Sequence, residues 1–494
     1  MTVKPQAKDL YYHLSQEAQA RRPSNLKAAF EYTKVPGMIS LGGGLPLPAY
    51  FPFDEITGTA PAAPFDKYND PAAAGTAPQV TITVDRYNAQ KADMIPLARA
   101  LQYGQSDGCV ELLDWVREHT AMVHKVPYAN WDVLTTVGNT QAWDAMLRLF
   151  TARGDTILAE EYTFSSAMEA AHAQGVQIVP VKVDLEGILA DKLDEQLSAW
   201  EGPKPKLLYT IPTGQNPTGG TLSPERRAAV YAVLQKHDIL IVEDEPYYFL
   251  QMDPYEAHTT VAAPDMTDAG RHARFLAQLV TSYLALDVDG RVLRLDSFSK
   301  VLAPGTRLGF IVAQKPFIER LTRHNEVSIQ TPAGFSQSII YGLLAKWGQT
   351  GYLDWLLEMR KEYTQRRNTC MDALTDALHK PAPYAPNSLK HIVEWKPPMA
   401  GMFFWIKVDA RQHPEWATLG AAGVEDRIHK AGIAHSVLTI PGSWFLADQH
   451  PAPRTNDDDD QSIFFRGTFA SVDKTQIETG ITRMAEVLAA EFKA

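Results

Sequence analysis

The stretch Asp296-Ser-Phe-Ser-Lys-Val-Leu-Ala-Pro-Gly-Thr-Arg-Leu-Gly-Phe310 carries two hydroxyls, a lysine and an arginine, just after an apolar run that reads as a strand over 291–296. A lysine placed past a strand end can point into a cleft, lose its proton there and form a Schiff base with a carbonyl. Ser297, Ser299 and Arg307 are residue types that can surround a phosphate. Taken alone, the same stretch would serve as a polar loop with a solvated lysine.

Four more segments share this placement. Ile211-Pro-Thr-Gly-Gln-Asn-Pro-Thr-Gly-Gly220 follows a strand and presents the amide of Asn216, or is simply a tight turn into a helix begun by Ser223-Pro224. The run 239–243 delivers Asp244-Glu-Pro-Tyr-Tyr248. A carboxylate at a buried strand end is costly unless a cation meets it, and a protonated pyridine nitrogen would do so; a helix cap is the plainer reading. Thr136-Val-Gly-Asn-Thr140 precedes a helix, so its backbone N–H groups form an anion site or an ordinary cap. Tyr162, after another strand, could stack on a planar ring or pack in the core. Each signal is modest, but together they supply an amine, a pyridine-nitrogen acid, hydrogen bonds for a phenolic oxygen, a stacking ring and phosphate ligands. Pyridoxal 5'-phosphate needs this set.

These residues require a frame that brings strand ends to one edge. Short apolar strands are expected over 132–137, 155–159, 177–181, 206–211, 239–243, 291–296 and 308–312, with helices over 140–151, 165–174 and 224–237. Strand–helix alternation of this kind predicts an α/β fold around a mostly parallel sheet covered on both faces. After about residue 350 the pattern changes to a long helix over 352–378, strands over 401–408 and 463–467, and a closing helix from Lys474, which reads as a smaller α+β unit. Surface insertions are expected at 60–93, 258–283 and 447–461, the last carrying the acidic run Asp457 to Asp460.

Composition narrows the classes. The 494 residues are 45% hydrophobic and 21% charged, which excludes a wholly disordered chain. With Lys and Arg at 47 against 58 Asp and Glu, the net charge is −11, unsuited to nucleic-acid binding. Cys109 and Cys370 are the only cysteines, so neither a disulfide framework nor a Cys-rich metal site is expected, and a reducing compartment fits. No run is long and apolar enough for a membrane span, and the N-terminus lacks a secretory pattern. A cytoplasmic location is the expectation.

The chain resembles the class I aminotransferases of pyridoxal-phosphate fold type I, with its strongest likeness to the fungal aromatic and 2-aminoadipate aminotransferases and to mammalian kynurenine/aminoadipate aminotransferase. The likeness rests on Leu41-Gly-Gly-Gly-Leu-Pro46, Leu101-Gln-Tyr-Gly104, Gly214-Gln-Asn-Pro-Thr-Gly219, Val242-Glu-Asp-Glu-Pro-Tyr-Tyr-Phe249, Gly351-Tyr-Leu-Asp-Trp355, Ala400-Gly-Met-Phe-Phe404 and Phe464-Phe-Arg-Gly-Thr468. It implies a large cofactor-binding domain over 61–345, a small domain over 346–494, and residues 1–60 as an N-terminal arm and part of the small domain. It further implies that Lys300 holds pyridoxal 5'-phosphate, that Asp244 keeps its ring nitrogen protonated, and that Tyr247 and Asn216 bond its phenolic oxygen. Tyr162 would stack on the ring. Gly138, Asn139, Thr140, Ser297, Ser299 and Arg307 would bind the phosphate, joined by Tyr103 from the second subunit of a homodimer. Arg466 would take the substrate carboxylate bidentately, with Asn216 and Gly44 also at the substrate. Lys27, in the segment Arg21-Arg-Pro-Ser-Asn-Leu-Lys27, would pair with a distal carboxylate; a solvent-facing charge is the alternative, and Arg22 is a second candidate.

The implied reaction is ping-pong transfer of an amino group between amino acids and 2-oxo acids, with 2-oxoglutarate as the expected acceptor. Two other classes compete. The same cofactor site supports β-elimination or decarboxylation, since fold does not fix reaction type. A non-catalytic cofactor-binding regulator would need an N-terminal DNA-binding module, and only about 40 residues precede Gly42.

Overall fold

The structure is a computed structural model and describes residues 4–493 except 26, 28–31, 33–34, 69–74, 88–91 and 448–460. The acidic run at 457–460 therefore lies outside the described residues. A hairpin comes first, β1 (Glu55–Pro61) pairing antiparallel with β2 (Gln79–Asp85). Next are β3 (Trp131–Thr136), β4 (Thr156–Glu160) and β5 (Gln177–Val181), then the two-residue strands β6 (Val183–Asp184) and β7 (Gly187–Ile188). The chain continues through β8 (Leu207–Thr210), β9 (Leu240–Asp244), β10 (Val292–Ser297) and β11 (Gly309–Gln314). Seven of these form the main sheet in the order β3-β11-β10-β9-β8-β4-β5. β8, β9, β10 and β11 are buried along their whole length, which explains why their apolar residues run together rather than alternate, with buried charges such as Arg294 among them.

Only β11 runs against the others. Its first residue therefore lies at the edge where its parallel neighbours end. That topology brings Arg307, two residues ahead of β11, to the carboxyl ends of β3, β9 and β10. Open α/β sheets bind ligands at this edge.

The smaller sheet is β12 (Val393–Trp395), β13 (Phe403–Asp409), β14 (Ile440–Pro441) and β15 (Ser462–Thr468), ordered β12-β13-β15-β14. The helix Lys474–Phe492, started by a reciprocal capping box between Asp473 and Gln476, covers it. The helix Gly334–Leu374 serves both cores, giving Ile340, Leu344 and Leu356 to the large one and Cys370, Met371 and Leu374 to the small one. It is two helices joined across a kink at Gly348, where φ is +62°; the helix expected from 352 is the second of them, and the first, from Gly334, was not expected. The expected division assigned residues 1–60 partly to the small unit; Leu10, Leu14 and Ala18 instead pack into the large core. The expected insertion at 60–93 is in part the hairpin, with Ile82 and Val84 buried. The one at 258–283 includes the helix Arg271–Gln278.

Candidate active site

A cavity of about 250 Å³ opens at the carboxyl edge of the main sheet. Lys300, Asp244, Tyr247 and Asn216 line one part of it; Asn139, Thr140, Ser297, Ser299 and Arg307 line another. Residues as far apart in sequence as Asn139 and Phe403 thus share one hollow, most of them brought there because four strands and a reversed fifth meet at this edge.

Asp244 ends β9 and is 6% exposed. Its Oδ1 accepts a hydrogen bond from Asn139 Nδ2 at 2.7 Å and its Oδ2 one from the Tyr209 hydroxyl at 2.7 Å. Burial pushes its pKa up, the two hydrogen bonds pull it down, and the nearby Asp296 carboxylate pushes it up again. Both fixed donors are neutral, so the carboxylate still needs a cation, and a protonated pyridine nitrogen is a cation of that shape and depth.

The opposite wall suits an anion. Gly138 caps the helix Asn139–Phe150 with no side-chain bond to its first N–H groups, which leaves them for a ligand. Gly138 has φ of +81°, and a Cβ there would lie 2.5 Å from Arg307 Nη2, so only glycine lets the guanidinium close over the helix start. Arg307 is held by donation from Nη2 to the Val137 carbonyl at 2.9 Å. Ser297 Oγ donates to Ser299 Oγ at 2.8 Å, keeping both hydroxyls together. A buried acid, an amine and this anion cradle fit pyridoxal 5'-phosphate.

Burial lowers the pKa of Lys300, and repulsion from Arg307 lowers it further, which favours the neutral nucleophilic amine. Burial, followed by the Asp244 charge, raises the pKa of Tyr247, keeping it a hydrogen-bond donor. Arg466 on β15 donates from Nη1 to Asn216 Oδ1 at 2.8 Å. Its guanidinium sits 4.6 Å from the ring centroids of both Phe403 and Phe445. Asn216 and Phe403 are themselves cavity wall, so Arg466 adjoins the cavity.

Tyr162 does not take the expected place. Its ring packs edge-on against Trp405 and Phe464 at 5.4 and 5.3 Å, and its backbone bridges to Leu446. Phe164 lines the cavity instead. The chain leaves β4 in a non-strand conformation, and the small sheet captures Tyr162 before the chain reaches the hollow. Three other expected residues lie away from this chain's own cavity. Tyr103 is 60% exposed, and Gly44 lies on an exposed arm with open space around it. Lys27 is buried and donates from Nζ to the Gly104 carbonyl, beside Tyr103. Tyr209, Phe164 and the side chain of Asn139 are the functional groups that motif reading missed. A tyrosine inside a fully buried strand, whose hydroxyl must find a partner, was the available signal for Tyr209.

Fold and site together define an enzyme that uses pyridoxal 5'-phosphate. Residues 84–484 match the model of the family described as aminotransferase class I and II, and the chain belongs to that family. Over 99% of both chains it is 41% identical to an aromatic amino acid aminotransferase of Schizosaccharomyces pombe. It is 31% identical to the mitochondrial kynurenine/alpha-aminoadipate aminotransferase of Bos taurus, over 95% of this chain and 96% of that one. Among solved structures, aminotransferase Aro8 from Candida albicans superposes with a TM-score of 0.90 at 48% identity, covering 99% of this chain and 100% of that chain.

Proposed function

We propose that this aminotransferase moves the amino group of an aromatic amino acid (phenylalanine, tyrosine, tryptophan or kynurenine) or of 2-aminoadipate to 2-oxoglutarate, as a homodimer in the cytoplasm. The observation that carries the aromatic reading is Arg466 seated over the rings of Phe403 and Phe445 beside the Lys300 cavity: a cation for a carboxylate, next to a cavity whose wall includes the aromatic side chains Phe403, Phe164 and Trp143. Aromatic, tyrosine:2-oxoglutarate and kynurenine/aminoadipate activities in the names of relatives support the same range. The arm supports the dimer, because Ile39 is 82% and Leu41 94% exposed, an apolar surface that water alone leaves unsatisfied. The low cysteine content supports a reducing compartment.

When bound, pyridoxal 5'-phosphate supplies an aldehyde that condenses with amines and a ring that accepts the electron pair released at the substrate Cα. Lys300 would hold it and, once freed, take the Cα proton on Nζ. Asp244, oriented by Asn139 and Tyr209, would hold the ring nitrogen in its protonated form. Phe164 would cover one ring face, and Ser297, Ser299, Thr140 and Arg307 would fix the phosphate. Arg466 would orient the substrate carboxylate so that the Cα proton faces Lys300. An anchored carboxylate favours transamination over decarboxylation.

A donor panel at fixed 2-oxoglutarate tests this reading. Aromatic donors should exceed alanine in kcat/KM by at least about tenfold, the scale of burying one ring; equal rates for alanine and phenylalanine would refute it. In the same panel, Lys27→Ala should raise KM for 2-aminoadipate about ten- to a hundredfold, as expected for one lost charge-assisted hydrogen bond. Phenylalanine should change little. Equal losses for both donors would make Lys27 structural, in keeping with its bond to Gly104.

A further inference from the structure

Two chain segments that the reaction does not use, the hairpin insertion and the helix Arg271–Gln278, meet on a single turn of the long helix at Asp354 and Trp355. On the hairpin side, Phe65 and Tyr68 pack edge-on against the Trp355 indole at 5.4 and 5.5 Å. Trp347 stacks on the same indole at 5.5 Å with 30° between planes, and its own Nε1 donates to the Pro61 carbonyl at the end of β1 at 2.8 Å. The break at Gly348 lies between the two tryptophans. On the other side, Arg271 grips Asp354 with two hydrogen bonds of 2.7 and 3.0 Å, and His272 Nε2 lies 2.6 Å from Asp354 Oδ1.

A hydrogen bond joins the turn so clamped to the loop that carries Lys300. Trp355 Nε1 donates to the carbonyl of Val301 at 2.7 Å. Val301 is the residue after Lys300, is buried, and belongs to the turn closed by the Leu302 N–H donating to the Phe298 carbonyl at 2.8 Å. The indole N–H therefore holds the backbone that carries the lysine, and neither Trp355 nor Val301 lines the cavity.

We propose that Trp355 is a positioning residue for Lys300, and that the hairpin insertion and the helix Arg271–Gln278 serve to hold Trp355 still. The proposal rests on reading Lys300 as the cofactor-bearing amine. A lysine that must first bind a cofactor and then move a proton depends on sub-ångström placement of its backbone, and a support built from packed aromatic rings and a bidentate ion pair is stiff. An aromatic donor bonded to that backbone transmits the stiffness without occupying the cavity.

Trp355→Phe tests the proposal because it keeps a ring for Phe65, Tyr68 and Trp347 while removing the donor along with part of the indole's volume. In the holoenzyme, kcat for phenylalanine should fall about tenfold with KM within about twofold, as expected when an interaction needed for the chemical step is weakened. The pH midpoint of the visible absorption of the lysine-bound cofactor should move by about half a unit or more. Amide hydrogen exchange over 298–302 should quicken in both the cofactor-free and cofactor-loaded protein. Asp354→Asn, which loosens the clamp and leaves the indole in place, should shift all three in the same direction by less. Unchanged midpoint and exchange rates in both variants, even with a lowered melting temperature, would overturn the proposal and make Trp355 a packing residue. Exchange over 298–302 reads the tether without the cofactor, so its failure is distinct from failure of the Lys300 assignment, which a borohydride label on another lysine would reveal.

Discussion

At the scale of single residues, the informative pair is Tyr162 and Phe164. Both are aromatic, they stand two positions apart after β4, and only Phe164 borders the cavity. Replacing Phe164 by Ala should weaken cofactor binding about tenfold or more, the combined effect of lost stacking and lost apolar contact. Tyr162→Phe should leave the cofactor dissociation constant within about twofold, because its ring contacts the small sheet; fluorescence titration of the cofactor-free protein with pyridoxal 5'-phosphate distinguishes the two. The reverse order of effects would restore Tyr162 as the stacking ring. The residues whose chemistry has no substitute were legible in the sequence: a lysine after Ser-x-Ser, an acid at a strand end, an arginine in a glycine-containing loop. The choice between two aromatics was not, since β4 is buried on both faces and offers no alternation to extend into the loop. The donors to Asp244 were hidden for a related reason: Asn139 and Tyr209 reach it from other strand ends, across 105 and 35 residues of sequence.

At the scale of elements, Glu160 at the end of β4 joins two loops of the site. Its carboxylate accepts hydrogen bonds from Thr210 Oγ1 at 3.0 Å, from the Ile211 N–H at 3.1 Å and from Gln215 Nε2 at 3.1 Å, next to Asn216. Burial nevertheless dominates and pushes its pKa up to about 7. The sign of the consequence follows. Below the unfolded value both states hold the proton and Glu160 contributes nothing to pH dependence. Between that value and about 7 only the folded state holds it, so stability falls as pH rises, and above about 7 the slope vanishes. From about pH 5 to pH 7.5 the wild type should lose more stability than Glu160→Gln, by on the order of 1–3 kcal/mol, in urea denaturation at fixed protein concentration. Equal slopes would mean that Glu160 is ionised in the fold throughout. The strands over 206–211 and 239–243 were legible because buried parallel strands are largely apolar on both faces, and 291–296 because Val292, Leu293 and Leu295 keep that character around Arg294. The helix ahead of the kink was not, because Gly334 and Gly342 thin its pattern and Gly348, at φ +62°, cuts it off from the helix expected at 352. The hairpin was hidden by its proline- and alanine-rich surroundings.

At the scale of the whole molecule, the exposed Tyr103 and the exposed apolar arm belong together if two chains share each site. Subunit mixing tests this. A Lys300→Ala chain and a Tyr103→Ala chain should each be weak alone, but their mixed dimers contain one site with an intact Lys300 and the other chain's intact Tyr103. Random reassortment should then restore up to about a quarter of wild-type activity, as symmetric pairing dictates. No gain on mixing would place Tyr103 within its own chain's site or outside any site. A second subunit is an expectation that rests on the resemblance alone, because nothing in the local pattern around Tyr103 tells whose cavity it faces. The central claim, that Lys300 is the amine that binds pyridoxal 5'-phosphate and drives transamination, has one direct measurement: borohydride reduction of the holoenzyme followed by peptide mass mapping. The yellow absorbance should be lost, with the phosphopyridoxyl mass on Lys300 alone, and Lys300→Ala should show neither label nor turnover. A label on any other lysine, or full turnover by Lys300→Ala, would contradict it.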